Sequence, residues 1–151
     1  MMSDELREAF VGVAERQLGL PYIWGGDDPI KGWDCSGLVV ECGLSVGLFP
    51  AGFDSTAAGV YALGARMGGI VGPPGKRGDL MFFSRANDYR RIHHVGILIG
   101  NGLLIEAGGG RSNTTDSTVA AQQNAYVRIR PAASRGFYTF FCDLLSVGPA
   151  Q

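Results

Sequence analysis

Cys35 stands where Asp34 closes one pattern and Ser36-Gly37-Leu38-Val39-Val40 opens another, the residue order of a capped helix start. A thiol on the first turn of a helix meets unpaired N–H groups and the positive end of the helix dipole. Both favour thiolate over thiol and can draw a cysteine well below its reference pKa of about 8.5. Such a sulfur is a candidate nucleophile, and a nucleophile needs a base. The chain's two histidines, His93 and His94, open the run Val95-Gly96-Ile97-Leu98-Ile99-Gly100, which has the apolar density of a buried strand. Neighbours on a strand point to opposite faces, so one of the pair faces the thiol and the other does not. The same alternation argues against a tandem-histidine metal site, because ligands on opposite faces cannot share an ion. No metal or other cofactor is expected.

The elements that must position these groups follow from periodicity and from turn residues. Ser3 or Asp4 caps a first helix, whose Leu6, Phe10, Val13 and Ala14 form one apolar stripe and which Gly19 and Pro21 end. The stretch from Pro21 to Pro29 is dense in Gly, Pro and Asp, which predicts an irregular loop carrying Tyr22 and Trp24 towards the cysteine. The cysteine helix runs from about Cys35 to Val46, with Asp34 as its cap and Gly47 and Pro50 beyond its end. A third helix is capped by Asp54 or Ser55 and fades near Gly68 and Gly69. After Pro73-Pro74 the pattern changes to short apolar runs at Leu80 to Phe83, Val95 to Ile99, Leu103 to Ala107 and Tyr126 to Ile129. Gly108 to Gln123, rich in small polar residues, predicts a long surface loop, and Gly136 to Leu145 a final strand or a short helix. Helices first and strands after suggest an α+β domain in which an antiparallel sheet packs on the cysteine-bearing helix.

A length of 151 residues fits one domain over residues 1 to 151, and the 46% hydrophobic content describes a globular chain rather than a disordered one. A net charge of −1 and scattered arginines supply no basic field, so nucleic acid is not an expected partner. No window approaches the roughly 18 apolar residues of a membrane span, and Met1-Met2-Ser3-Asp4-Glu5 lacks the basic start of a secretory signal. Cys35 and Cys42 lie about 10 Å apart along one helix, too far to bridge. Cys42 and Cys142 read as core residues.

Four motifs in order resemble one known family. Gly19 to Gly26 (GLPYIWGG) looks like the leading motif of the NlpC-type cell-wall peptidases, and Gly32 to Val39 (GWDCSGLV) like their nucleophile motif. Gly78 to Phe83 (GDLMFF) looks like their first strand, and His94 to Ile97 (HVGI) like their histidine strand. The resemblance covers roughly residues 6 to 107. It implies a papain-like fold, Cys35 as nucleophile, His94 as base, and Tyr22 near the oxyanion and the substrate backbone. Asp34 and Ser36 flank the nucleophile and are candidate substrate contacts, as is Trp24; capping is a competing role for Asp34. The family's third polar residue, most often histidine, falls on Leu104-Ile105-Glu106-Ala107, where Glu106 takes its place. A carboxylate there would accept from one ring nitrogen of His94 and leave the other for the thiol.

That role for Glu106 depends on strand register. A two-residue loop at Asn101-Gly102 pairs Gly100 with Leu103 and sets His94 against Gly109, which turns Glu106 to the wrong face. A three-residue loop at Gly100-Asn101-Gly102 pairs Ile99 with Leu103 and Gly96 with Glu106, which places Glu106 diagonally beside His94. The three-residue loop is expected. By resemblance the substrate is the peptidoglycan stem peptide, cut between D-glutamate and diaminopimelate or lysine through a thioester. The alternatives are a muramoyl-L-alanine amidase, an acyltransferase, or a non-catalytic wall-binding or phage-tail domain. For location the candidates are a phage tail or virion, the cytoplasm, or secretion without a standard signal, with phage tail proteins as possible partners.

Overall fold

In the computed structural model, residues 3–28, 32–134 and 138–147 are described. Helix α1 (Ser3–Arg16) already includes Ser3 and Asp4, so neither expected cap precedes it. Gly19 ends the turn that follows, at a φ of 91° where a side chain would be strained. The segment expected as an irregular loop is partly ordered into pairs. Tyr22 bridges to Trp33, and the short strands β1 (Asp27–Asp28) and β2 (Gly32–Trp33) are antiparallel. Pro29, the end of that expected loop, lies outside the described residues.

Helix α2 (Cys35–Ser45) starts where the sequence indicates, because the Asp34 carboxylate accepts from the Gly37 amide at 2.7 Å. It ends at Val46, and Gly47 takes the left-handed conformation after it. Helix α3 (Ala57–Arg66) is capped by Thr56, whose hydroxyl accepts from Gly59. Neither Asp54 nor Ser55 does this, because Asp54 turns its carboxylate to the Ser55 amide instead.

Six strands then form one antiparallel sheet: β3 (Ile70–Val71), β4 (Leu80–Ser84), β5 (Ile92–Gly100), β6 (Leu103–Gly108), β7 (Tyr126–Pro131) and β8 (Tyr138–Cys142), in the order β3-β8-β4-β5-β6-β7. The architecture is the expected α+β arrangement. The undecided segment from residue 136 is a strand over Tyr138–Cys142, while Gly136 and Phe137 lie outside the described residues. The long surface loop is not wholly a loop: Ser117–Gln122 forms helix α4, capped by Asp116 accepting from Val119. Ala120 and Thr114 are buried beneath that stretch, so small residues seat it on the core.

Burial divides the sheet's two sides. Leu80, Phe82, Val95, Ile97, Ile105, Ala107 and Val127 join α1, α2 and α3 in the main core, with Phe10, Val11, Leu38 and Val39 supplied by the helices. Met81, Phe83, Leu98, Leu104 and Phe141 form a smaller cluster. The alternation within LMFF and GILI produces this split, since successive strand residues point to opposite faces. Cys42 and Cys142 are fully buried in the main core, as expected, and all three cysteines are free.

The register at the β5–β6 turn corrects one expectation. Gly100 pairs with Leu103, so the loop is the two residues Asn101-Gly102, both at positive φ, and not three. Leu98 nevertheless pairs with Leu104 and Ile97 with Ile105, which leaves Ile99 as an unmatched bulge residue. The bulge shifts the strand by one, so Ile97 stands opposite Ile105, the level that a three-residue loop would also have set.

Candidate active site

Three elements meet at Cys35. The Asp34 carboxylate that caps α2 also accepts from the Gly25 amide at 3.1 Å and from the Ser36 hydroxyl at 3.4 Å, which fixes the chain on both sides of the cysteine. Burial pushes the Cys35 thiol up to about 12, and the nearby Asp34 adds to the rise. Amides of Val95, Ser36 and Cys35 itself act in the opposite direction. The Val95 amide lies at a level where β5 has parted from β6, because their ladder begins at Ile97 and Ile105. The sulfur thus meets the amide of Val95, the residue that follows His94 in β5. Burial also raises Asp34 above the ordinary carboxylate range, with Asp54 adding repulsion, against the pull of its three hydrogen bonds.

His94 Nε2 lies 2.9 Å from Glu106 Oε1, and Glu106 is 1% exposed. The separated strands are thus joined at this level by side chains. On the other side the His94 ring meets Phe83 at a centroid distance of 5.5 Å. With Glu106 ionised, the carboxylate accepts from Nε2–H and leaves Nδ1 as the nitrogen with the lone pair. His93 falls in a second irregularity, where Phe83 pairs with His94 and Ser84 with Ile92. The register steps past His93 there, and the contact with Glu106 belongs to His94.

Tyr22 is buried against Gly110, where an added Cβ would come within 2.1 Å of its ring. Burial, then the proximity of Cys35 and Asp34, raise its phenol far above the ordinary value, so the hydroxyl remains a donor. Trp24 is 55% exposed, and its amide donates to Thr114 O at 2.7 Å. A cavity of about 290 Å³ opens beside Cys35 between Gly25, Gly26, Asp34, Ser36, Asp54 and Thr56. Larger depressions lie between α1 and α2 and over Met81, Leu98 and Phe141, away from the residues that flank Cys35. Among the described residues no group of three or more His, Cys, Asp or Glu could hold a metal ion, and no helix is long and apolar enough to cross a membrane.

One residue of this neighbourhood escaped the sequence analysis. Arg128, the cross-strand partner of Glu106 on β7, donates from Nε to Glu106 Oε2 at 3.2 Å. The signal was available: alternation in Tyr126-Val127-Arg128-Ile129-Arg130 sets Arg128 opposite to buried Val127, and a buried glutamate requires a cation.

Comparison with known proteins gives a consistent result. The model described as "NlpC/P60 family" matches residues 19–131. The probable endopeptidase YafL of Escherichia coli is 36% identical over 110 residues, covering 71% of this chain and 43% of YafL. The bifunctional muramidase/DL-endopeptidase CwlT of Bacillus subtilis is 32% identical over 105 residues, 70% of this chain and 30% of CwlT. Among solved structures, the peptidoglycan hydrolase RipB of Mycobacterium tuberculosis superposes with a TM-score of 0.66 at 25% identity, over 94% of this chain and 66% of that one. The chain thus spans less than half the length of either curated relative.

Proposed function

The chain belongs to the NlpC/P60 family, and from that premise we propose that it is a cysteine endopeptidase of bacterial peptidoglycan. The observation that carries this reading is the capped cysteine at the start of α2, set against the strand whose His94 is bonded to Glu106. The names of YafL, CwlT and RipB support the substrate class. In this reading His94 Nδ1 takes the proton as Cys35 Sγ attacks the amide carbonyl. The first-turn amides of α2 and the Tyr22 hydroxyl stabilise the oxyanion. The imidazolium then gives its proton to the leaving amine, and water releases the acyl group from sulfur. Glu106 holds the tautomer and stabilises the imidazolium in both steps.

The bond is a D,L linkage from the side-chain carboxyl of D-glutamate to diaminopimelate or lysine, in keeping with the DL-endopeptidase activity in the name of CwlT. The cavity beside Asp34 and Asp54 suits a substrate amine, with Ser36 and exposed Trp24 as further contacts. A phage-tail setting finds no support among these bacterial relatives.

The test is mass spectrometry of products from purified L-Ala-γ-D-Glu-diaminopimelate tripeptide. Cleavage after D-glutamate is expected from the wild type. Cys35→Ala and His94→Ala are each expected to lower the rate at least a thousandfold, roughly the scale at which triad deletions act. Undiminished cleavage by Cys35→Ala overturns the assignment.

A further inference from the structure

Glu106 is buried on a strand flanked by His94 on one side and Arg128 on the other, so three neighbouring strands contribute one side chain each to a single row. The guanidinium presents Nε and Nη2 to the same carboxylate oxygen, each at 3.2 Å, while the other oxygen takes His94. Arg128 is itself mostly buried, with 14% of its side chain exposed. The backbone around it is shaped to fit. A Cβ at Gly108 would lie 2.4 Å from Glu106 Oε2 and 3.1 Å from Arg128 Nη2. A Cβ at Gly109, which holds a φ of 86°, would lie 3.1 Å from Arg128 Nη1. Two consecutive glycines therefore keep this ion pair clear of side chains.

We infer that Arg128 is a positioning residue of the proposed site: it holds Glu106 as an oriented carboxylate, so that His94 keeps its proton on Nε2 and offers Nδ1 to the thiol. This rests on the catalytic reading above. A buried carboxylate without a cation is driven towards its neutral, protonated form, which donates a hydrogen bond where an ionised one accepts. With Glu106 protonated, His94 would turn its lone pair to the carboxyl and lose the base function at Nδ1. The charged and titratable groups around the row are Cys35 and Asp34 on α2, Tyr22 on the preceding segment, His93 beside His94, and Arg130 two residues along β7; β4 contributes the apolar Phe83. Glu106 takes His94 on one oxygen and accepts from Arg128 on the other.

The experiment has two arms, each applied to Arg128→Gln and Arg128→Lys. In the first, tripeptide hydrolysis is followed against pH. Arg128→Gln is expected to lower kcat about tenfold or more at little changed KM, and to move the acid limb of the profile up by about one pH unit. Arg128→Lys keeps the charge and is expected to restore the limb. In the second, nitrogen-15 spectra of the imidazole are recorded in a His93→Gln background, which leaves one ring to observe. The Nε2–H tautomer is expected in the parent and in Arg128→Lys, and its loss in Arg128→Gln. A profile and a tautomer in Arg128→Gln that match the parent overturn the inference, whatever happens to the melting temperature. Should the parent cleave no stem peptide, the catalytic reading falls, while the spectra still decide the role of Arg128.

Discussion

At Cys35 two opposing effects can be ranked by size. A helix N-terminus favours a negative charge by about 0.3–1 kcal/mol, less than one pKa unit. Full burial opposes charge by up to about 3–5 units. The sequence predicts a lowered thiol because it exposes the first effect and hides the second. In the folded protein burial dominates and pushes the thiol up to about 12. Burial thus favours the neutral thiol, and in the proposed mechanism the thiolate forms by transfer of its proton to His94 rather than standing free. Alkylation by iodoacetamide reads this directly. At pH 7 the wild type is expected to alkylate at Cys35 faster than His94→Ala. In His94→Ala the rate should keep climbing through pH 10, because the raised pKa places thiolate formation above that range. A plateau near the ordinary thiol value of about 8.5 in that variant would show that burial does not govern the sulfur.

Among the elements, legibility followed how local the cause was. The start of α2 is a dialogue between Asp34 and Gly37, three residues apart, and was readable. The apolar runs of β4, β5 and β6 carry their own alternation and were readable too. Helix α4 was missed because Ser117–Gln122 is short and polar, and its hold on the core comes from Ala120 meeting distant residues. The β5–β6 hairpin shows a subtler limit. Loop length and register were treated as one choice, whereas the bulge at Ile99 separates them. Asn101 and Gly102, at φ values of 56° and 73°, form the tight two-residue turn that twisted strands prefer. The extra residue then appears one step inside the strand, and the register that suits Glu106 is kept. Deleting Ile99 should therefore bring Gly100–Leu103 and Leu98–Leu104 into consecutive pairs without moving His94 relative to Glu106. Tripeptide hydrolysis is expected to remain within about tenfold of wild type, at some cost in stability from lost packing and from the Arg77 bond to the Ile99 carbonyl. Loss of activity on the scale of His94→Ala would mean that the bulge itself sets the register.

Across the whole molecule, residues far apart in sequence are tied by one buried cation. Arg7 on α1 donates to Asp79 before β4 at 2.9 Å and pairs with Asp143 just after β8, so the first helix, the central strand and the end of the sheet share one guanidinium. All three side chains are at most 7% exposed. Removing the cation leaves two buried carboxylates facing each other, and breaking such a pair costs about 3–5 kcal/mol. Arg7→Met is expected to lose stability on that scale in urea unfolding near pH 7. The pH dependence has a definite sign. Burial pushes Asp143 up, but bonds from Ser146 and Arg7 outweigh it and hold the carboxyl below its ordinary value of 3.8. A group depressed in the folded state binds its proton more readily when unfolded. Its contribution is present above about pH 4 and is lost as pH falls through the folded value. Glu8 and Asp88 are lowered too, but they belong to exposed pairs with Arg77 and Arg90, which contribute little. The fall in unfolding free energy between about pH 4 and pH 2.5 should therefore be steeper in the wild type than in Asp143→Asn, whose neutral side chain cannot titrate. Equal slopes in the two proteins would show that the acid sensitivity of the fold lies elsewhere than in this junction.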